Sequence, residues 1–208
     1  MPEQVDPVLE EYARLAPKYD RRWARYVDAT VARTLAHIDP RPGDRVLDVG
    51  CGTGTMLDAL GHRFPEAVLT GVDFSPEMLA RARAKLPAEI ELLEARAESL
   101  PFADASFELA ISVSVFHFIP HPEAALREIG RVLAPGGVVV ITDWCDDYLA
   151  CRVCDAALRL FGRGHYRTYG GAECTAMLGD AGFISAEVER YKVSLLWGMM
   201  TARACKPA

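Results

Sequence analysis

Apolar and polar residues along the chain follow two periods, and each change of period marks a boundary between elements. Short apolar runs predict five buried strands. These strands occupy residues 45–49, 67–73, 90–95, 106–112 and 137–143. Apolar residues at helical spacing predict the intervening helices, which occupy residues 55–64, 75–86 and 122–133. Strands that alternate with helices in this way predict a parallel sheet with helices on both faces.

The two ends of the chain depart from this alternation. Residues 8–38 have helical spacing with a break at Pro17, so residues 1–40 are expected to form an N-terminal helical cover. After a predicted helix over 146–161 and a short one over 172–183, two strand-like segments suggest a hairpin. We therefore expect one α/β domain over residues 1–208, a doubly wound, mostly parallel seven-stranded sheet with an antiparallel C-terminal edge hairpin.

Composition narrows the possible partners and surroundings. The 208 residues carry a formal net charge of −6 and no run rich in Lys or Arg, which argues against a nucleic-acid partner. The sequence has neither a secretory signal nor an apolar run of membrane-spanning length. We expect a cytoplasmic protein with no membrane partner, a monomer or a homodimer, whose 6 cysteines are reduced thiols.

Three glycines at alternate positions, Gly50, Gly52 and Gly54, follow the first predicted strand. Ligands of doubly wound sheets bind beyond the carboxyl ends of the strands, and glycine permits close approach of a ligand to the backbone. Asp73 ends the second strand, where an acidic residue accepts hydrogen bonds from a ribose. A dinucleotide fingerprint would place its third glycine at position 55, so Gly54 disfavours a nicotinamide-dependent dehydrogenase and favours a nucleoside without a pyrophosphate.

Four segments in order carry a family resemblance. They read "VLDVGCGTG", "GVDFSPEML", "ESLPFADASFELAISVSVFHFI" and "ALREIGRVLAPGGVVVITD". In these segments the chain resembles the class I S-adenosylmethionine-dependent methyltransferases, of the small bacterial type that methylates ubiquinone precursors and other small molecules. The resemblance runs from about Tyr12 to Asp143 and implies the methyltransferase fold, S-adenosyl-L-methionine as cofactor and a small-molecule acceptor.

The same resemblance implies how the cofactor is held. The backbone of Gly50, Cys51 and Gly52 is expected to run along its methionine part. Asp48 lies under the loop and is expected to help hold the amino group. Asp73 is expected to accept hydrogen bonds from both ribose hydroxyls.

The adenine end has its own expected contacts. Phe74 and Met78 are implied to flank the base, although helix packing explains Met78 equally well. Arg96, Ala97 and Glu98 correspond to the segment along the adenine edge. The family often has Asp where this chain has Arg96, and guanidinium offers no acceptor. We therefore expect the backbone of Ala97, or Glu98, to replace that contact.

Two further parts of the sequence are implied to reach the cofactor or its cover. Ser112 ends the fourth strand and resembles the position whose main chain meets the methionine end. In similar enzymes the N-terminal segment folds over the cofactor, and a tyrosine like Tyr19 closes the site. Tyr12 is a candidate substrate contact, with a surface tyrosine as the alternative.

The chemistry is an in-line displacement at a methyl group, and a base is needed only if the nucleophile arrives protonated. His117 follows the fourth strand, and an imidazole takes up a proton near neutral pH, so His117 is the candidate catalytic base. The alternative is a polar residue in the pocket wall. His121 is expected to start the next helix instead.

The substrate side is expected to lie between the N-terminal helices, the His117 loop and a lid over residues 144–170. Such a short cover suits an acceptor of metabolite size, aromatic, quinone-like or lipid-related. The alternative for the lid is an ordinary hydrogen-bonded loop. The candidate substrate-binding residues, besides Tyr12, are Asp143, Trp144, His165, Tyr166 and Tyr169, with Arg167 beside them.

Cysteines in the C-terminal third leave a second function open. Cys151 and Cys154 form a Cys-x-x-Cys pair on a predicted helix, and Cys145 and Cys174 lie in the same third. A metalloid methyltransferase of the arsenite type is therefore an alternative, although no zinc pattern is complete and no metal is expected. A non-catalytic cofactor-binding module is the alternative from another class.

Overall fold

The computed structural model of the protein describes residues 19–161, 165–194 and 197–208, with side chains described from residue 26 onward except at residue 161. Seven strands form one sheet: β1 (Arg45–Val49), β2 (Val68–Asp73), β3 (Glu91–Glu94), β4 (Phe107–Val113), β5 (Leu133–Trp144), β6 (Ile184–Lys192) and β7 (Gly198–Cys205). In the described part of the chain six α-helices accompany them: α1 (Tyr19–Ala36), α2 (Thr55–Arg63), α3 (Pro76–Lys85), α4 (Pro122–Val132), α5 (Leu149–Phe161) and α6 (Gly171–Asp180).

The sheet has the strand order β3-β2-β1-β4-β5-β7-β6. Pairs from β3 to β5 are parallel, whereas β7 is antiparallel to both β5 and β6. The strand order reverses between β1 and β4, and their carboxyl ends frame the crevice where ligands of such sheets bind. The predicted fold class, with its antiparallel C-terminal strands, is confirmed.

Each face of the sheet has its own hydrophobic core. Helix α4 packs on one face through its fully buried Leu126 and Ile129, while α2 packs on the other through Leu57 and Leu60. Helix α3 begins at the capping residue that the sequence indicates. Ser75 caps α3 by accepting a hydrogen bond from the backbone of Met78, with proline in the first turn.

Most predicted boundaries agree with the structure within three residues, with two exceptions. Strand β5 begins at Leu133 instead of residue 137, because Leu133, the last residue of the predicted helix 122–133, pairs with Phe107 of β4 before the register shifts. Helix α1 accounts for the second part of the predicted N-terminal helical segment, and residues 1–18, including Tyr12, lie outside the described part.

Within the described residues, every helix is too short or too polar to cross a lipid bilayer.

Candidate active site

The glycine loop turns sharply between β1 and α2. Gly50, Gly52 and Gly54 all have positive φ, at 78°, 53° and 79°, a region that side chains disfavour. A Cβ atom at Gly50 would lie 2.4 Å from the side chain of Val115, whereas the space next to Gly52 is open. The loop therefore presents bare backbone to the crevice at Gly52.

Gly54 has a different role from the expected cofactor contact. A Cβ atom there would lie 2.6 Å from the side chain of Leu86, at the end of α3. Gly54 is also the N-terminal cap of α2 and has no side chain that caps it. Its need for glycine comes from the packing of α2 against α3, not from the crevice.

Two clefts open on either side of the loop and share Gly50. With the open solvent at their mouths included, the Asp73 cleft measures about 420 Å³ and the Asp48 cleft about 470 Å³. The first is lined by Gly50, Asp73, Phe74, Ala95, Arg96, Ala97, Glu98, Val115, Phe118, Ile119 and Pro120. The second is lined by Tyr26, Val27, Thr30, Val31, Asp48, Gly50, Cys51, Gly52, Thr53, Thr55, Met56, Val113 and Ser114.

Asp73 is held rigidly at the end of β2. Its Oδ2 accepts a hydrogen bond from the backbone N–H of Gly52 at 2.8 Å and its Oδ1 one from Ser75 at 2.9 Å. Burial raises the pKa of Asp73, and these N–H donors oppose the increase. Each carboxylate oxygen keeps a further lone pair, so the group can accept two hydroxyls from the cleft.

Asp48 lies under the loop with an unsatisfied oxygen. Within the described residues its Oδ2 has no hydrogen-bond partner, and the side chain is 1% exposed. Burial and the charge of Asp73 raise the pKa of Asp48 to about 8. A buried carboxylate oxygen is costly without a donor. An ammonium group in the Asp48 cleft supplies that donor, so the site fits the amino group of S-adenosylmethionine.

The adenine side of the crevice is partly aromatic. The guanidinium of Arg96 lies 5.4 Å from the centre of the Phe74 ring, and its Nε is 3.8 Å from Glu98. Phe74, Arg96, Ala97 and Glu98 all line the Asp73 cleft. Met78 is only 1% exposed and packs inside the protein, which favours its packing role over an adenine contact.

Ser112 lies behind the lining of the Asp48 cleft, and its expected main-chain contact stays a prediction. The hydroxyl of Ser112 donates to the backbone oxygen of Val49 at 2.9 Å and is buried between β1 and β4. Strand β4 continues to Val113, and the residues of this segment that line the cleft are Val113 and Ser114, the latter at φ 59°. Its hydroxyl shares a 2.6 Å hydrogen bond with Tyr26, a residue that the sequence interpretation missed.

His117 and Asp143 form a buried pair where β4 and β5 end. Nδ1 of His117 is 2.6 Å from Asp143 Oδ1, and the backbone N–H of His117 donates to Oδ2 at 3.2 Å. Trp144 stacks on the imidazole at 4.8 Å between ring centres. With Nδ1 bonded to the carboxylate, Nε2 is the ring atom left for chemistry.

An aromatic cluster connects this pair to the Asp48 cleft. Trp144 donates from Nε1 to the hydroxyl of Tyr26 at 2.8 Å, and its ring lies 4.4 Å from that of Trp197. Tyr26 lines the Asp48 cleft. The cluster therefore spans from the cofactor crevice to His117. Trp197, in the last predicted strand, carried no signal of this role in the sequence.

A second histidine–carboxylate pair lies behind the first. His165 Nε2 is 2.8 Å from Asp155 Oδ1, and the imidazoles of His165 and His117 are 5.5 Å apart. Burial lowers the pKa of His165, and Asp155 opposes that effect. Asp155 also accepts the backbone N–H of Thr168 at 2.7 Å, so it ties the lid segment to α5. The sequence interpretation missed Asp155.

The other lid residues are placed differently from one another. Tyr166 is 42% exposed, and its backbone N–H donates to the His117 carbonyl at 2.9 Å. Tyr169 is buried in the core, and burial raises its pKa to about 12. Arg167 stacks on Tyr169 and pairs with Glu173 at 2.6 Å. Tyr169 thus supports the lid from below.

Tyr19 begins α1, but its side chain lies outside the described part.

Cys145, Cys151 and Cys174 of the C-terminal third are buried, whereas Cys154 is half-buried. Cys151 exchanges hydrogen bonds with Gly198 at 3.3 and 3.1 Å. Burial raises the pKa of Cys145 to about 11 and that of Cys174 to about 12, which opposes the thiolate form that binds metals and metalloids. In the part of the chain that the structure describes, His, Cys, Asp and Glu form no group of three arranged for a metal ion.

Comparison with known proteins adds independent information. Residues 47–141 match the family model "Methyltransferase domain". The chain is 39% identical over 145 residues to phosphatidylethanolamine N-methyltransferase of Cereibacter sphaeroides, covering 67% of this chain and 69% of that protein. It is 36% identical over 148 residues to demethylmenaquinone methyltransferase of Thermus thermophilus, covering 64% of each. The matches therefore span about two thirds of the length of these relatives.

Solved structures agree in fold. A possible histamine N-methyltransferase from Thermotoga maritima, described as S-adenosylmethionine-dependent, has a TM-score of 0.79 at 23% identity, covering 96% of this chain and 99% of that chain. Phosphoethanolamine N-methyltransferase 2 of Haemonchus contortus, solved with S-adenosyl-L-methionine, has a TM-score of 0.69 at 19% identity, covering 86% of this chain and 53% of that chain.

The solved structures agree with this chain in fold, and the relatives agree with it in sequence over about two thirds of its length. The protein is an enzyme that uses S-adenosyl-L-methionine as its cofactor, and its relatives include the quinone-biosynthesis methyltransferases. The chain belongs to the class I S-adenosylmethionine-dependent methyltransferases.

Proposed function

We propose that the enzyme methylates a small amphiphilic molecule whose nucleophilic group loses its proton to His117. The observation that carries the proposal is the buried His117–Asp143 pair, which the aromatic cluster joins to the Asp48 cleft. S-Adenosylmethionine, when bound, supplies a methyl group on a positively charged sulfur. The protein's task is therefore to bind, to align, to exclude water and to accept a proton.

Binding falls to the glycine loop and its two carboxylates. Asp48 offers its unpartnered oxygen to the ammonium, and Asp73 offers its remaining lone pairs to the ribose. Both carboxylates are more than nine-tenths buried, so water competes little for them. Alignment of two reactants by such fixed groups contributes about 7–11 kcal/mol to catalysis.

Proton transfer falls to His117. Asp143 accepts the Nδ1–H and so leaves the Nε2 lone pair ready to take a proton from the acceptor. The same carboxylate then stabilises the imidazolium that forms. General base catalysis of this kind contributes about 10²–10⁴-fold in rate.

The acceptor class is inferred from the rings beside that pair and from the relatives' names. Trp144 and Trp197 offer apolar surface next to a hydrogen-bonding imidazole. The relatives are named for phosphatidylethanolamine, a phospholipid, and demethylmenaquinone, a quinone precursor. Both acceptors join a polar reactive group to an apolar body, and this combination suits the cluster.

Methyl transfer from labelled cofactor tests the proposal. The full chain is incubated with phosphatidylethanolamine, with demethylmenaquinone and, for the metalloid alternative, with arsenite. On the active acceptor, His117→Gln should lower turnover about 100-fold while cofactor affinity stays within twofold. His121→Gln is the matched control, because His121 is exposed at the start of α4. Unchanged turnover in His117→Gln would remove the base from the mechanism.

A further inference from the structure

Exposed apolar side chains are concentrated on one part of the surface. Six large hydrophobic residues are exposed in the described part of the chain. Two are isolated, Val68 at 54% and Ile184 at 51% exposure. The other four lie on α5 and the lid segment that follows it: Leu149 at 75%, Val153 at 62%, Leu160 at 77% and Tyr166 at 42%. Scattered exposed apolar residues are ordinary, but a cluster marks an interaction surface.

The α5 residues form a continuous stripe along the helix. Leu149, Val153 and Leu160 are spaced by one, two and three helical turns, so they project from one side. The alanines between them, Ala156 and Ala157, are exposed as well. The opposite side of α5 carries the buried Cys151 and the largely buried Asp155. The helix thus presents its apolar stripe outward.

Positive charge flanks the stripe on one side. Arg152 and Arg159 are two helical turns apart on one side of the stripe, and both are exposed, Arg159 to 55% of its side chain. The acidic residue within α5 is Asp155, which lies on the inner side at 13% exposure, bonds His165 and is 3.7 Å from the Arg159 guanidinium. The outward face of α5 is therefore apolar and cationic, although the whole protein carries a net charge of −6.

From this stripe and its arginines, called here the α5 face, we propose a docking surface for an anionic lipid bilayer. Leu149, Val153 and Leu160 enter the boundary between headgroups and acyl chains, while Arg152 and Arg159 contact lipid phosphates. A second copy of the chain fits less well, because a symmetric contact brings together two faces on which the exposed charged residues of α5 are both arginines. This docking departs from the sequence-based expectation of no membrane partner.

The inner side of the same helix reaches the acceptor region. Asp155 holds His165 beside His117, and Cys151 bonds Gly198, the neighbour of Trp197. A bilayer beneath the α5 face therefore lies next to the lid that covers these groups. Resting on the proposed function, the docking delivers an amphiphilic acceptor from the membrane to His117.

Vesicle flotation of the full chain tests the docking without any turnover. The probes are vesicles of phosphatidylcholine alone and of phosphatidylcholine with phosphatidylglycerol. The native chain should float with the anionic vesicles, and L149Q/V153Q/L160Q should weaken that binding at least tenfold. R152Q/R159Q should remove the preference for anionic vesicles. V68Q/I184Q, which changes the isolated exposed residues, is the matched control and should bind as the native chain does.

Cofactor affinity, measured on every variant, should stay within twofold and so shows that the variants fold. The docking is overturned if the native chain ignores anionic vesicles or if the triple variant binds them equally well. It is also overturned if the triple variant only converts a dimer to a monomer. Because no acceptor takes part, a failure here leaves the proposed function standing, and a failure of methyl transfer leaves this result standing.

Discussion

The two halves of the active site are built from different materials. The cofactor half, formed by the glycine loop with Asp48 and Asp73, consists of backbone groups and carboxylates at the ends of β1 and β2. Asp73, for example, accepts hydrogen bonds from the backbone N–H groups of Gly52 and Ser75. The acceptor half, formed by the His117–Asp143 pair and the aromatic cluster, consists of side chains from segments that are distant in the sequence. Trp144, for example, donates a hydrogen bond to Tyr26, which is 118 positions away. A local loop and a tertiary assembly should respond differently to substitution: the first through cofactor affinity, the second through turnover.

Gly50→Ala should have the largest effect, on the cofactor half. The new Cβ would lie 2.4 Å from Val115, whose side chain lines the Asp73 cleft, and the residue would keep φ 78°. The displaced Val115 should narrow the cleft, so affinity for S-adenosylhomocysteine, measured by calorimetry, should fall at least 100-fold, equivalent to about 3 kcal/mol.

Gly43→Ala separates backbone strain from the steric clash. Gly43 has φ 84°, but a Cβ atom there meets nothing within 4 Å. Strain of about 1–2 kcal/mol should lower the melting temperature by several degrees, with cofactor affinity unchanged. In the double variant Gly50→Ala, Val115→Ala, affinity should partly return. If Gly43→Ala lowered cofactor affinity as much as Gly50→Ala does, backbone strain without a steric clash would be enough to explain the loss of affinity in Gly50→Ala.

Asp48→Asn should have the next largest effect. It should lower cofactor affinity and raise the stability of the cofactor-free protein. The buried oxygen needs a cation when the cofactor is bound, and a hydrogen bond to a charged group is worth about 1.5–3 kcal/mol. Cofactor affinity should therefore fall about 30-fold. In the native enzyme, cofactor affinity should also rise with pH up to about 8, because the bound ammonium favours the ionised carboxylate.

The same variant should be more stable than the native protein when the cofactor is absent. The pKa of Asp48 is about 8 in the folded protein and about 4 in an unfolded chain. Its contribution to folding is fully present below pH ~4 and is lost as the pH rises to about 8. Thermal unfolding at pH 8.5 should therefore favour the Asn variant by ~1–3 kcal/mol, and the gain should shrink at pH 5. An equal gain at both pH values would contradict the shifted pKa.

The sequence predicted the cofactor half far better than the acceptor half. The glycine loop and Asp73 lie in contiguous motifs that the sequence shows directly. The side chains packed against the loop, Val115 at Gly50 and Leu86 at Gly54, come from later segments. The end of β4 differs slightly from the prediction: the strand is shifted by one residue and ends at Val113, and Val113 and Ser114 line the Asp48 cleft. The main-chain contact expected of Ser112 stays a prediction.

The acceptor half depends on contacts between distant residues, which no pattern of neighbouring residues in the sequence predicts. Asp155 reads as an ordinary helix residue until the fold brings His165 against it. Trp197 reads as a strand residue, and Tyr26 as one of several aromatic residues on an amphipathic helix. Their roles arise from the packing of α1, α5 and β7 around one point, so tertiary structure was needed to find them.

Asp155→Asn should give the smallest effect and the sharpest test of the acceptor half. Loss of the carboxylate removes the group that supports protonated His165, so the pKa of His165 should fall below its already lowered value. Turnover should fall about tenfold, a factor equivalent to 1.36 kcal/mol, because His165 no longer holds its place 5.5 Å from His117. Cofactor affinity should stay within twofold, since Asp155 lies away from both clefts.

Nuclear magnetic resonance titration can follow His165 directly, because the chain has only 5 histidines. Asp58→Asn is the matched control: Asp58 also pairs with a histidine, His62 at 3.7 Å, but on the exposed surface of α2. That variant should leave turnover and the His165 signal unchanged. A titration of His165 that is the same in Asp155→Asn and the native enzyme would mean that this pair only braces the lid. Proton transfer in the acceptor half would then depend on His117 and Asp143 alone, with no contribution from the second histidine–carboxylate pair.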